Sequence, residues 1–317
     1  MTEIVEFLHY LSIALVVGVN SVAVGIGEGI TGAAAIEAIH IQPKAKNDIQ
    51  TTAILGMALV ETAAITGISI AIILLLGTRQ ADKTIFLGLS ELGIALAICL
   101  SGFTIGIVSA WPSSQACLAI ARQPFSGKRL LRFMLITQSM IQTPVIFSFI
   151  IAIFIKNQSL SANTIAESLR LIASGLCIGL GSIGPGIGLG QFGGQACNGI
   201  GINRKSYGKI FSFTLISEAI IETPIIFALV TALILITTQA STLLQGIGMI
   251  AAATSIGIGT IGPGIGSGKA AAAACKQIAK NPAIYSTLAK VSMFAQGMID
   301  TAAIYALIIS LSLIIFG

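Results

Sequence analysis

Long apolar stretches alternate with short polar ones along the whole chain. Eight stretches, at approximately 7–40, 48–76, 84–121, 130–155, 164–201, 210–236, 243–279 and 285–316, exceed the roughly 20 residues a helix needs to cross a bilayer. The polar breaks come in two kinds. IQPKAKND (41–48), RQPFSGKR (122–129), INRKSYGK (202–209) and KNPAIYST (280–287) alternate with the linkers GTRQADK (77–83), KNQSLSAN (156–163) and TTQAST (237–242). The second stretch of each pair also carries one polar residue at its centre: LGMALVETAAIT around Glu61, ITQSMIQTPVIF around Gln142, ISEAIIETPIIF around Glu222 and FAQGMIDTAAIY around Asp300. A threonine follows every time: Thr62, Thr143, Thr223 and Thr301. The centres lie 81, 80 and 78 residues apart, which makes the chain an internal repeat.

The repeat divides the chain into 1–80, 81–160, 161–240 and 241–317, each expected to be one hairpin. In hydrocarbon a helix satisfies its own backbone hydrogen bonds, and a β-barrel would show short alternating strands instead. The expected fold is therefore an all-α membrane protein of four tandem transmembrane helical hairpins, eight helices in all. An even number of spans per unit points all four hairpins the same way, unlike the inverted repeats of many transporters.

The first helix of each hairpin carries the glycines: GIGEG (25–29), GLGSIGPGIGLGQFGG (179–194) and GIGTIGPGIGSG (257–268), with FTIGIVSA (103–110) eroded. Glycines two residues apart fall about 200° around a helix, so such a helix can be approached closely from both flanks. That suits an inner helix held between like neighbours in a ring. A phosphate-cradling glycine loop would need a preceding strand, and none is expected. Pro185 and Pro263 lie inside the glycine runs, and Pro144 and Pro224 follow the central residue by two, which predicts local bends near the site.

Composition agrees with a lipid solvent: 55% apolar, 9% charged and a mean hydropathy of +0.96, against about 25% charged in soluble domains. The leader MTEIVEF is acidic and runs into the first repeat, so it is not read as a cleaved signal peptide. Five cysteines without CxxC spacing are expected to be buried free thiols. Of 17 Lys and Arg, 13 flank the loops within the hairpins. The positive-inside rule then puts those loops in the cytoplasm and both termini on the non-cytoplasmic side, so the net charge of +5 reflects topology and implies no nucleic-acid partner. His9 and His40 lie near opposite helix ends and are expected to be interfacial, and Glu91, at a span end, is expected to be solvated.

A glycine-rich helix, a basic loop with proline and a helix with one mid-membrane carboxyl together resemble the c-subunit (proteolipid) family of rotary ATP synthases. ARQP (121–124), AKNP (279–282) and HIQP (40–43) look like its F-type loop, and Pro43, Pro124 and Pro282 precede Glu61, Gln142 and Asp300 by 18 residues. Arg204 replaces the proline in repeat 3, yet its spacing to Glu222 is kept. The resemblance implies a fourfold fusion forming an arc of a rotor ring made of several copies. It implies a non-catalytic component that couples ion flow to rotation, in a bacterial plasma membrane, against a stator that supplies an arginine. The cytoplasmic central stalk would meet the loops at Gln42, Pro43, Arg122, Gln123, Pro124, Asn203, Arg204, Asn281 and Pro282. A vacuolar or archaeal-type rotor is the alternative within the family; a self-contained channel or transporter is the alternative outside it.

A carboxylate in a membrane span is costly and marks function. Desolvation lets it face lipid only as the neutral acid or with a bound cation. Glu61, Glu222 and Asp300, with Glu28 beside Glu61, are therefore the expected ion-binding residues, Ser267 is a further supporting ligand, and Gln142 is an ion-silent equivalent. No Lys or Arg is expected at their depth, so the positive partner must come from outside the chain. Counting back from the loops puts Glu28, Ser109, Leu189 and Ser267 opposite the four centres, with Thr62, Thr223 and Thr301 as supporting ligands. Glu218, one turn before Glu222, is a proton-entry group or a hydrogen bonder. H⁺ is the favoured ion with no cofactor; Na⁺ at Glu28, Glu61 and Thr62 is the alternative.

Overall fold

A computed structural model describes residues 2–77 and 84–316. Eight membrane-length helices are present among them: α1 Glu3–Ile41, α2 Pro43–Gly77, α3 Ile85–Arg122, α4 Pro124–Ser159, α5 Ile165–Ile202, α6 Arg204–Thr237, α7 Leu243–Lys280 and α8 Pro282–Phe316. No strand occurs among the described residues. The linker residues 78–83, with Arg79, Asp82 and Lys83, lie outside them.

Threonines start the first helices after the linkers. Thr84 Oγ1 accepts from Leu87 N at 3.3 Å, and Thr164 and Thr242 form capping boxes with Glu167 and Gln245. Each cap satisfies backbone donors that a helix start leaves open.

The loops are tighter than their polar composition suggests. Each is one extended residue followed by a single 3₁₀ turn, after which α-helix resumes at Lys46, Gly127, Tyr207 or Tyr285. Gln42, Gln123 and Asn281 leave the helical region, with ψ of 79°, 75° and 86°, because the following proline disfavours it. Asn203 holds nearly the same shape without a proline, because its Oδ1 accepts from Lys205 N at 3.0 Å. Side-chain capping replaces ring geometry there.

The helices form two rows. The glycine helices pack in the order α1, α3, α5, α7, and the second helices in the order α2, α4, α6, α8. In lipid no hydrophobic force drives helices together, so close van der Waals packing must. Alternate glycines face opposite neighbours, as their spacing requires. A methyl added at Gly184 or Gly188 would strike Ile261 or Gly264 of hairpin 4; one at Gly186 or Gly190 would strike Ile105, Val108 or Trp111 of hairpin 2. Repeat 2 is less eroded than its sequence suggests. Gly93 meets Leu171 and Gly175, Gly102 meets Asn20, and Gly106 meets Ala23 and Gly27.

Single-residue irregularities at Ser109, Ser182 and Thr260 each precede a proline by three. Proline lacks the N–H that would bond the carbonyl four residues back. The carbonyl freed by Pro185, on Gly181, accepts from Thr260 Oγ1 at 3.5 Å. Pro224 is absorbed within continuous helix, whereas Gln142 marks the irregularity before Pro144, and α2 is interrupted at Glu61 with no proline at all.

Two large apolar cores divide the molecule by depth, beside a small third cluster of Val24, Val60, Ala63 and Ala110. The loop-side core includes Phe133, Phe192, Phe213 and Ile221; the other includes Ile94, Ile151, Ile178 and Ile225. Glu222 sits at their division. Toward the termini, Glu91 is fully buried, against the expectation of a solvated span end. Its carboxylate receives Lys156 Nζ at 3.1 Å and pairs with His9 Nδ1 at 2.7 Å. His9, expected at the interface, is likewise buried, so the two groups join hairpins 1 and 2, while His40 is exposed. Arg170, also buried, donates to Ile236 O and Thr238 O, carbonyls at the end of α6.

Candidate functional site

The four central residues sit at one level on the second helices, in four different surroundings. Glu61 on α2 is exposed at the free flank of hairpin 1. Glu28 on α1 faces it, and the two carboxyls lie within hydrogen-bonding reach. Such a pair can share one proton or hold one cation between them. Asp300 on α8 is buried and accepts from Ser267 Oγ on α7 at 3.2 Å. The register read from the loops thus joins Glu28 to Glu61 and Ser267 to Asp300. Leu189, buried in α5, gives hairpin 3 no oxygen at that position.

Glu222 on α6 is half-buried, and the hydroxyl of Thr143 on α4 of the preceding hairpin lies within reach of its carboxyl. The expected ligand, Thr223, instead donates to Ala219 O of its own helix at 3.3 Å, and Thr301 donates to Met298 O at 2.7 Å. At these two positions the hydroxyl is drawn to a carbonyl of its own turn, so neither Thr223 nor Thr301 serves the carboxyl before it. Sequence reasoning misses Thr143 because its partner belongs to the next repeat, about 80 residues on. The constant spacing of the repeats is the signal that could have found it.

Gln142 is buried, and neither its Oε1 nor its Nε2 has a hydrogen-bond partner among the described residues. An amide there keeps the shape of the site but neither takes nor releases a proton at ordinary pH. One turn toward the loop lies a second polar level: Gln138, Glu218 and Gln296, all fully buried, with Met57 in hairpin 1. Gln138 Nε2 donates to Gly56 O at 2.8 Å, and Gln296 Nε2 to Ser292 Oγ at 3.1 Å and Ser217 Oγ at 3.4 Å. In the sequence only Glu218 stands out, although Gln138 and Gln296 share its place four residues before the centre.

The expectation that no basic residue lies at the depth of the carboxyls is corrected by Lys269. It follows Ser267 by two residues on α7, a rise of about 3 Å, so it lies close to the depth of Asp300. It is exposed, and its equivalents Trp111 and Gln191 line a cleft of about 250 Å³ between α3 and α5. No ion pair joins it to Asp300, because the side chain leaves the helix on a different face from Ser267.

At the loops, neighbouring hairpins are tied together. Arg122 donates to Asn198 Oδ1 at 2.6 Å, Asn203 Nδ2 to Ala279 O at 3.1 Å, and Lys209 Nζ to Pro282 O at 2.7 Å. Pro43, Arg204 and Asn281 remain exposed, while Gln42, Gln123, Pro124 and Pro282 are half-buried. Phe125, which its apolar character does not mark as part of this surface, is 93% exposed.

The family model for the ATP synthase c-subunit matches the chain four times, at residues 11–74, 92–155, 172–235 and 250–313. ATP synthase c-subunits from three strains of Dehalococcoides mccartyi (BAV1, 195 and CBDB1) are each 45% identical over 71 residues. That alignment covers 93% of each relative and 22% of this chain, so one relative corresponds to about one hairpin.

Proposed function

The chain belongs to the ATP synthase c-subunit family, and from that premise we propose that it is an ion-translocating rotor component with three working sites on four hairpins. Membership supports the rotor proteolipid role, a part of an enzyme complex with no catalysis of its own. The observation that carries the finer reading is the level shared by Glu61, Glu222 and Asp300, at equivalent places on the second helices. Each carboxyl would hold a proton while facing lipid and release it where a stator arginine and an aqueous path reach it. Gln142 would pass the stator without exchanging anything.

A ring of copies follows from the glycines that lack partners. Gly18, Gly25 and Gly29 in α1 have nothing within 4 Å among the described residues. Their equivalents in hairpin 3, Gly179, Gly186 and Gly190, are pressed against hairpin 2, and those in hairpin 4, Gly257, Gly264 and Gly268, against hairpin 3. Hairpin 1 therefore presents a flank shaped for a preceding hairpin. Gly262 in hairpin 4 is open as well, although its equivalent Gly184 is met by Thr260 and Ile261. Head-to-tail addition of a second copy would set Gly25 near Gly262 and Pro263. It would also bring Thr301 to Glu61, as Thr143 comes to Glu222. Heterologous contacts of this kind close into rings when the rotation permits. The glycine row, where backbones approach closest, would form the inner wall.

With the basic loops in the cytoplasm, the exposed Pro43, Phe125 and Arg204 would meet the central stalk, and both termini would lie on the other side of a bacterial plasma membrane. H⁺ is the proposed ion, because hairpin 3 has Leu189 where Na⁺ would want another oxygen. The Glu28–Glu61 pair with Thr62 keeps Na⁺ as the second reading for hairpin 1.

Treatment of the assembled complex with a carboxyl-reactive carbodiimide tests the assignment. Adducts are expected on Glu61, Glu222 and Asp300, and none in hairpin 2. Protection by Na⁺ would identify sodium as the ion, and absence of adducts at all three carboxyls would overturn the reading.

A further inference from the structure

Glu218 is the one carboxyl of the second polar level, and both its oxygens are fully buried without a protein hydrogen-bond partner. A carboxylate stripped of water and of every donor is costly, far more so than a neutral acid. At rest, with no donor among the described residues, the neutral acid is therefore the favoured form. The titratable groups facing it are Glu222 on its own helix and the thiol of Cys197 on α5. Cys197 in turn lies within reach of the Thr137 hydroxyl of hairpin 2.

The neighbouring repeats show what this position accommodates. Gln138 and Gln296 each turn their amide toward the preceding hairpin, at Gly56 and Ser217, five residues before that hairpin's central residue. The same step from Glu218 leads to Thr137. A protonated carboxyl resembles an amide there, with one donor and one acceptor on a planar group. Unlike an amide, it can give the proton up. Positions four residues apart lie on one helix face, about 5–6 Å between Cβ atoms, a separation that one water molecule or a rotamer change bridges.

We propose that Glu218 is a second proton-holding residue of hairpin 3, exchanging its proton with Glu222 from the loop side. This rests on the reading of Glu222 as an ion-carrying site. When Glu222 is ionised at the stator, the O–H bond of Glu218 breaks and one forms on Glu222. The negative charge moves one turn toward the loop, and a proton arriving from that side restores Glu218. Hairpin 3 alone has this relay, since the same position is an amide in hairpins 2 and 4 and Met57 in hairpin 1.

The test is ATP-driven proton pumping by the complete complex in liposomes, measured across a range of pH. Glu218→Gln should assemble, because glutamine fills the position in two repeats. The relay predicts a loss of pumping of about three- to tenfold with a displaced pH profile; a wild-type rate and profile would overturn it. Should Glu218→Gln fail to assemble, Glu218→Asp decides: a displaced profile supports the relay and an unchanged one refutes it. Glu222→Gln run alongside separates the two ideas. If it pumps like wild type, the site itself has been misassigned; if it is impaired while Glu218→Gln is normal, only the relay fails.

Discussion

Hairpins 2 and 3 are neighbours that share one register, although their loops differ, and both are largely enclosed by the rest of the chain. They differ in what stands at mid-membrane. Hairpin 3 has Glu222 with Glu218 beneath it, where hairpin 2 has Gln142 with Gln138. Hairpin 2 nevertheless keeps its glycine contacts and lends Thr143 to its neighbour's carboxyl. On the proposed reading, filling a place in the array and carrying an ion are separable tasks. The first needs small residues on one helix and matched apolar faces, whereas the second needs one acid. Loss of that acid leaves packing untouched, because an amide has nearly the same volume.

The comparison can be broken most severely at hairpin 2's anchor. Glu91→Gln leaves Lys156 buried without its counter-charge, a change worth about 3–5 kcal/mol for a buried pair. Thermal unfolding in detergent should register a large drop in midpoint, while carbodiimide labelling of Glu222 in the surviving fold stays normal. Next in size is Glu222→Gln, which places two silent hairpins side by side. Pumping should fall by about a hundredfold, roughly 2.7 kcal/mol on the barrier. Asp300→Asn, whose silent position alternates with Gln142, should lose distinctly less; equal losses would show that adjacency does not matter.

Smaller effects sharpen the same contrast. Gln142→Glu raises the carrying hairpins per chain from three to four, so the ions moved per ATP should rise by about a third, each worth about 2.3 kcal/mol at 100 mV. An unchanged ratio would mean that hairpin 2 lacks an access path as well as an acid. Thr143→Ala removes the hydroxyl that reaches Glu222, a hydrogen bond to an ionisable group worth about 1.5–3 kcal/mol at most. A several-fold fall in pumping confined to the Glu222 site is expected, with labelling of Asp300 unaffected.

The architecture was legible in the sequence because lipid leaves the chain few choices. Span length fixed the eight helices, and glycine spacing correctly implied contact on two flanks, as Gly188 and Gly190 show. The first-helix partners Glu28 and Ser267 could be counted from the loops because helices on both sides of a tight turn keep register. What could not be read came from neighbours distant in sequence. Thr143 serves a carboxyl in the next repeat, and Glu91 meets His9 across 82 positions and Lys156 across 65. Polarity at a span end suggests solvent when only one strand of text is in view. The compact loops were hidden in a similar way, since polar residues such as Lys46 and Asn47 belong to regular helix.

The most direct measurement is ion transport by the reconstituted complex when every copy of the chain carries Glu61→Gln, Glu222→Gln and Asp300→Asn together. These changes replace each acid with an amide of the same size, as the protein itself has done at Gln142. ATP-driven ion uptake should fall to background while the chains still assemble into rings. Continued coupling of ion movement to ATP turnover in that complex would contradict the account.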